Sequence, residues 1–288
     1  MQQERTRTND ERVVCRICPH ACSLAEGQRG VCRARVAQGG EVTCEAYGRI
    51  TSLALDPVEK KPLARFHPGS MVLSLGGYGC NLRCPFCQNA SIAWAGPEDV
   101  PYRTMTPKQV VRMARGYRSH GCIGIAYTYN EPAIAFEFVR DTARLAREKG
   151  LVNVVVSNGM ICPEPLAEVL PYLDAANIDL KAFTPEAYRK LGGDLEAVKA
   201  TIATLASAPN CHLEVTTLVV PGLNDTPEQI EAIAAWLADL DPHIPYHLSR
   251  FFPAFHMQEV PPTDVRLLKR LAKVAGKNLD DVLLGNVR

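Results

Sequence analysis

Met71-Val72-Leu73-Ser74-Leu75-Gly76-Gly77-Tyr78-Gly79-Cys80-Asn81-Leu82-Arg83-Cys84-Pro85-Phe86-Cys87-Gln88-Asn89 is the stretch on which the reading of this chain turns. An apolar run of strand character leads directly into a loop that carries Cys80, Cys84 and Cys87. Three thiolates on so short a loop can hold a soft metal centre, and a cube of four irons and four sulfides needs four ligands. The next cysteine along the chain is Cys122, well outside the loop. One iron of such a cube would stay open to a ligand that is not protein, and an open metal position implies chemistry rather than scaffolding. Three other readings stand beside this one: a zinc knuckle, a ferredoxin-type cluster and buried free thiols. Free thiols seldom come as three among Gly, Asn and Pro. A structural zinc site is normally closed by a fourth ligand at similar spacing, and a ferredoxin would supply a fourth cysteine.

Outward from this loop the chain has two textures. Residues 1–69 are rich in Cys, Arg, Gly and Pro and show few periodic segments. From residue 70 to 288, β-branched runs alternate with helical patterns, which predicts strands at 71–75, 122–128, 152–157, 175–180, 212–220 and 245–250. Thr106-Pro107 opens a helix with an N-cap and an N1 proline, and Val110, Val111, Ala114 and Tyr117 recur on one face. Pro132 to Lys149 reads as another helix, stopped by Gly150. Thr184-Pro185-Glu186, Thr226-Pro227-Glu228 and Pro261-Pro262-Thr263-Asp264 repeat the capped start. Strand-then-helix units recurring about every 30 residues predict an α/β fold. Six of them make a partial (β/α)6 TIM-like barrel with its chemistry at the carboxyl ends of the strands. The cysteine loop follows the first strand, at that end.

Bulk properties narrow the class further. A hydrophobic content of 47% with 22% charged residues is ordinary globular composition. A net charge of +1 gives no electrostatic reason to expect nucleic acid or an anionic membrane as partner. The polar start has no apolar stretch, and no apolar run reaches the roughly 20 residues that span a bilayer. The expected location is therefore cytoplasmic and reducing, where eleven cysteines point to metal ligation rather than disulfides.

The later strand ends carry polar groups. Ile123 to Thr128 runs into Tyr129-Asn130-Glu131-Pro132, which puts a carboxylate just before a helix; simple capping is the plain alternative. Val154-Val155-Val156 ends in Ser157-Asn158-Gly159, small polar groups that could also be only a turn. Asn177, Asp179 and Lys181 alternate and so share one face. Charges facing a barrel interior are costly, and function is the usual reason for them. His247 lies on the last predicted strand, where a lone histidine is more often a satisfied structural residue than a ligand.

Cys80-x3-Cys84-x2-Cys87, with Phe86 before the last cysteine, resembles the signature of radical S-adenosylmethionine enzymes. Asn130-Glu131-Pro132, Asn158-Gly159, Asp179-x-Lys181 and His247 resemble segments of its pyruvate formate-lyase-activating branch. The resemblance implies a [4Fe–4S] cluster on Cys80, Cys84 and Cys87. It also implies S-adenosylmethionine held by Glu131, Ser157, Asn158, Asp179, Lys181 and His247, and an external one-electron reductant of flavodoxin or ferredoxin type. The implied reaction is reductive cleavage of the sulfonium to a 5′-deoxyadenosyl radical, which abstracts hydrogen from a small molecule or a protein. The branch has an aspartate two places before its Asn-Gly asparagine; Val156 stands there in this chain. The further run Cys15-x2-Cys18-Pro19-His20-x-Cys22, Asp56-Pro57-Val58-Glu59-Lys60-Lys61-Pro62-Leu63 and Pro68-Gly69-Ser70 resembles the radical enzyme of the AmmeMemoRadiSam system. A glycyl-radical-enzyme activase is the alternative within the family. An iron–sulfur electron carrier or a zinc-stapled binding module is the alternative outside it.

Cys15, Cys18, Cys22 and Cys32 give four thiols in eighteen positions, enough to close a zinc site or hold a second cluster. Arg5, Arg7, Arg12, Arg16, Arg29, Arg33 and Arg35 make the same region basic, by default a solvated face. Cys44, Cys122, Cys162 and Cys211 read as ordinary small residues.

Overall fold

The computed structural model describes residues 12–287; Arg5 and Arg7 lie outside them. The N-terminal part is built of short antiparallel pairs. β1 (Val13–Val14) pairs with β2 (Ser23–Leu24), and β3 (Arg35–Gln38) with β4 (Glu41–Cys44). β5 (Arg49–Ile50) is followed at once by β6 (Ser52–Pro57) and β7 (Met71–Gly76). After the cysteine loop come α1 (Ala90–Ala93), β8 (Arg103–Thr104, paired with β5) and α2 (Pro107–Gly116). The alternation continues as β9 (Cys122–Tyr127), α3 (Phe136–Glu148), β10 (Val152–Ser157), α4 (Pro163–Val169) and β11 (Ala175–Asp179). It ends as α5 (Pro185–Lys190), α6 (Leu195–Ala206), β12 (His212–Val219), α7 (Pro227–Leu240), β13 (Tyr246–Arg250), α8 (Val265–Ala275) and β14 (Val282–Gly285).

One eight-stranded sheet runs in the order β14-β13-β12-β11-β10-β9-β7-β6. Its strands from β7 to β14 are mutually parallel, and β6 lies antiparallel on β7. The two edges do not pair, so the barrel is partial. The six expected strands are present, and the sheet adds β14 at one edge and β6 at the other. β6 comes from before residue 69, so the barrel sheet takes in chain from the Cys-rich side of that position. Alternation sorts the side chains. Leu73, Ile125, Tyr127, Val155, Ile178, Val215 and Leu248 pack outward under the helices, whereas Val72, Ala126, Val154 and Ala175 cluster on the lumen side with Val58 and Leu63.

The helices expected from capped starts begin where the caps predict, whereas the run from Pro132 opens as a 3-10 turn (Pro132–Ala135) and becomes α3 only at Phe136. Thr106 and Gln109 form a reciprocal capping box, and Thr184, Thr226 and Asp264 accept from the first turns of α5, α7 and α8. Val110, Val111 and Ala114 are buried, but Tyr117, expected on their face, is at the C-cap and exposed. The chain between β6 and β7 crosses the amino-terminal end of the barrel as a stopper. Ala64 and Arg65 donate their N–H groups to Glu214 on β12, Asn177 on β11 donates to the Pro62 carbonyl, and Arg65 pairs with Asp281 beside β14 at 2.5 Å.

Candidate active site

At the opposite, carboxyl end of the strands a cleft of about 1000 Å³, counting its open mouth, is lined by Cys80, Cys84, Cys87, Glu131, Ser157, Asn158, Asp179 and Lys181. Each comes from a strand end or the loop after it, the position where a parallel barrel gathers its functional groups. Gly79 has φ +83°, and a Cβ there would stand 2.3 Å from the Cys32 carbonyl oxygen, so the turn into the cysteine loop requires glycine.

Cys84 is buried, and Cys80 and Cys87 are half-buried. Burial pushes Cys84 up to about 11 and raises Cys80 and Cys87 as well, while the Lys181 ammonium opposes the rise at all three. The Leu82 N–H and the Asn158 side-chain amide reach Cys80 Sγ at 3.4 and 3.5 Å. Desolvated sulfurs with N–H donors and a nearby cation fit a cluster, whose potential is tuned by such contacts. Ligands of a cluster sit on different irons, so they need not converge on one point; among the described residues no three His, Cys, Asp or Glu side chains are spaced as ligands of a single ion.

Glu131 is buried at the centre of the strand ends. Its Oε1 accepts from Ser157 Oγ at 2.7 Å and the Ala133 N–H at 2.9 Å, and its Oε2 from the Asn158 N–H at 2.8 Å. It therefore both caps the following turn and ties β9 to β10. A carboxylate offers about four acceptor positions, which leaves one on Oε2 for a donor from the cleft. Burial raises its pKa, and the donors from Asn158, Ser157 and Ala133 oppose the rise. Asn158 is the second hub: its amide donates to Asn81 Oδ1 at 2.9 Å and its Oδ1 accepts from the Met160 N–H at 2.8 Å. Burial works against the charge of Lys181, but Asp179 at 2.8 Å and the Cys84 sulfur outweigh it and raise the pKa.

His247 is not brought to the cleft. Its Nε2 lies 2.5 Å from Glu214 Oε2, one layer below Ser249, which does line the cleft. Glu214 also accepts from His212 at 2.9 Å, so the trio belongs to the stopper end. Val156, where the branch has an aspartate, lines the cleft as an apolar wall.

Residues the sequence did not single out complete the walls: Thr128, Tyr129, Thr216, Leu218, Ser249 and Asn286. Thr216 Oγ1 is buried with no partner. Tyr129 has φ +69°, a strained conformation for a bulky residue. Its hydroxyl reaches down the lumen to Asp56 Oδ2 at 2.6 Å, and the buried Lys61 ammonium bonds the same oxygen at 2.8 Å and lies 4.6 Å from the tyrosine ring centre. The bulky Tyr129 directly before Asn130-Glu131-Pro132 was the available signal.

The sequence profile described as the radical SAM superfamily matches residues 75–237, more than half of the chain. The chain belongs to the radical SAM superfamily. It is 42% identical over 284 residues to an uncharacterised protein of Methanocaldococcus jannaschii, covering 98% of this chain and 83% of that one. It is 25% identical over 178 residues to the pyruvate formate-lyase 1-activating enzyme of Escherichia coli, covering 59% of this chain and 71% of that one. Among solved structures, SuiB of Streptococcus suis bound to S-adenosylmethionine superposes with a TM-score of 0.57 at 14% identity, over 72% of this chain and 48% of that one; this shows the shared fold. Members of the superfamily use a [4Fe–4S] cluster and S-adenosylmethionine, and the chain is a radical SAM enzyme of the activating-enzyme-like branch. Among the described residues no helix is long and apolar enough to cross a membrane.

Proposed function

We propose that this radical SAM enzyme holds its cluster through Cys80, Cys84 and Cys87 and its S-adenosylmethionine through Glu131, Ser157, Asn158, Asp179 and Lys181. The observation that carries the assignment is that all eight line one cleft at the carboxyl end of the barrel. Bound there, the two cofactors supply one chemistry, reductive cleavage that yields a 5′-deoxyadenosyl radical. The protein's work is binding, orientation and exclusion of water. Glu131 presents its one unused acceptor position to an ammonium, with Ser157 and Asn158 fixing the carboxylate plane. Lys181 offsets the charge of three thiolates and is itself anchored by Asp179. Ser249 and Thr216, rather than His247, offer hydroxyls at the far wall. The electron comes from an external one-electron carrier of flavodoxin or ferredoxin type.

The substrate we favour is a small molecule, in line with the AmmeMemoRadiSam-like sequence pattern. A second reading, activation of a glycyl radical enzyme by hydrogen abstraction from its backbone, is favoured by the similarity to the E. coli activating enzyme. A glycyl radical enzyme encoded beside this gene would select the second reading. The test of the site is anaerobic reconstitution with iron and sulfide, then S-adenosylmethionine and dithionite. The expected product is 5′-deoxyadenosine, abolished in Cys84→Ala. Unchanged product in that variant would overturn the ligand assignment.

A further inference from the structure

Cys15, Cys18, Cys22 and Cys32 take no part in that cleft, yet the fold gathers them. The β1–β2 hairpin carries the first three at its tip, where the Cys15 N–H donates to the Cys22 carbonyl at 2.9 Å. The fourth arrives on the next turn. A Cβ on Gly30 would lie 3.5 Å from Cys22 Sγ and 3.8 Å from Cys32 Sγ, so both sulfurs crowd one side of a residue without a side chain. Cys15, Cys18 and Cys32 are buried, Cys22 is half-buried, and all four are free. Four thiols gathered on one hairpin and the turn after it, three of them buried and none in a disulfide, form the donor set of a metal–thiolate centre.

We propose that Cys15, Cys18, Cys22 and Cys32 form a second, fully ligated metal–thiolate centre that braces the back of the cysteine loop. Four protein ligands leave no open position, so this centre is structural, unlike the one in the cleft. Two occupants share the chemistry, a tetrahedral zinc ion and an iron–sulfur cluster. Among the described residues no three such side chains stand at single-ion spacing. Zinc would require the four sulfurs to close on one point, whereas in a cluster each sulfur would meet its own iron.

The bracing is visible in the contacts. His20 Nε2 donates to the Asn81 carbonyl at 2.7 Å, the Cys32 carbonyl fills the space beside Gly79, and the Val31 carbonyl accepts from the Arg83 guanidinium. The Ile17 carbonyl accepts from the Cys162 N–H at 2.8 Å, fixing the far side. The knuckle thus touches the cysteine loop on both sides of Cys80. The proposal does not depend on the assignment of the cleft.

The test uses the full chain with Cys80, Cys84 and Cys87 all replaced by Ala, purified without chelator and assayed for zinc, iron and acid-labile sulfide. One zinc per chain without sulfide, or iron with matching sulfide, supports the centre and distinguishes the occupants. Metal below a tenth of an equivalent overturns it. Adding Cys18→Ser should remove the metal, and full retention overturns the ligand set. Should that variant fail to fold, the otherwise unaltered chain, stripped of zinc and titrated with cobalt, gives a second reading. The visible bands of a four-thiolate cobalt centre are expected at one equivalent, and their absence from a chain that also lacked iron overturns the proposal.

Discussion

Lys61→Met tests whether the lumen holds a charged pair. In the native chain Lys61 and Asp56 are both buried and share a 2.8 Å bond, with the Tyr129 hydroxyl on the same carboxylate oxygen. Burial works against the Asp56 charge, but Lys61 and Tyr129 outweigh it and hold the carboxyl well below its usual range. Removing one partner of a buried pair costs about 3–5 kcal/mol because the other charge is stranded. Two features pull toward the low end: Tyr129 stays, and Lys60, largely exposed, already reaches Asp56 at 3.4 Å. The lost ammonium–ring contact adds roughly 1 kcal/mol. We expect Lys61→Met to lose about 3–4 kcal/mol of unfolding free energy by urea titration followed by circular dichroism. The double variant Asp56→Asn with Lys61→Met should lose only about 1–2 kcal/mol, since no charge is left unpaired. pH supplies a second check. With Lys61 gone, burial raises the Asp56 pKa above its unfolded value, so the deficit is full at neutral pH and shrinks as pH falls toward about 4. The same variant should bind S-adenosylmethionine more weakly, because Tyr129 holds the turn that delivers Glu131. Equal losses in the single and double variants, or a loss under about 1 kcal/mol in Lys61→Met, would refute the pairing.

Three further outcomes follow from the geometry. Glu214, buried but held down to about 2 by His212, His247 and two backbone N–H groups, contributes stability that is present above its ordinary value of 4.5 and lost as pH falls toward about 2. Acid titration should show roughly 3 kcal/mol disappearing over that window, and Glu214→Gln should be less stable at neutral pH and flat across it. Gly79→Ala should cost about 2–3 kcal/mol and reduce iron retention, because φ is positive and the new methyl meets the Cys32 carbonyl; Gly222→Ala, with positive φ but open space, should lose only about 1 kcal/mol and keep its iron. Ser157→Ala removes one of three donors to Glu131, so S-adenosylmethionine affinity measured by titration calorimetry should fall about fivefold, the equivalent of about 1 kcal/mol; an unchanged affinity counts against the role given to Glu131.

The barrel strands β7 and β9 to β13 were legible because β-branched runs bounded by turn residues leave little ambiguity. β6 and β14 were not. β6 is a half-buried edge strand in a region with few periodic segments, and β14 is four residues long. α4 and α6 escaped for a local reason: Cys162 makes no side-chain cap bond, and Asp194 follows a Gly-Gly turn that reads as loop. At the site, Glu131, Ser157, Asn158, Asp179 and Lys181 could be found because each stands at a strand end, which sequence locates well. His247 shows the limit. Alternation tells which face a residue takes but not which partner it finds there: His247 is level with Thr216 on the neighbouring strand, yet its ring is taken up by Glu214 and not by the cleft. Asp56 and Lys61 were invisible for a related reason, since their partner Tyr129 lies more than sixty positions along the chain.

The stopper between β6 and β7 has a mechanical meaning. By hydrogen-bonding β11 and β12 and clasping Asp281 beside the far edge, it works as a hoop around an otherwise open stave ring. The strands that wall the cleft are thus braced from underneath, at the end remote from the chemistry. Nicking the chain between residues 58 and 69 should therefore loosen the grip on cofactor without touching a single residue that lines its cleft.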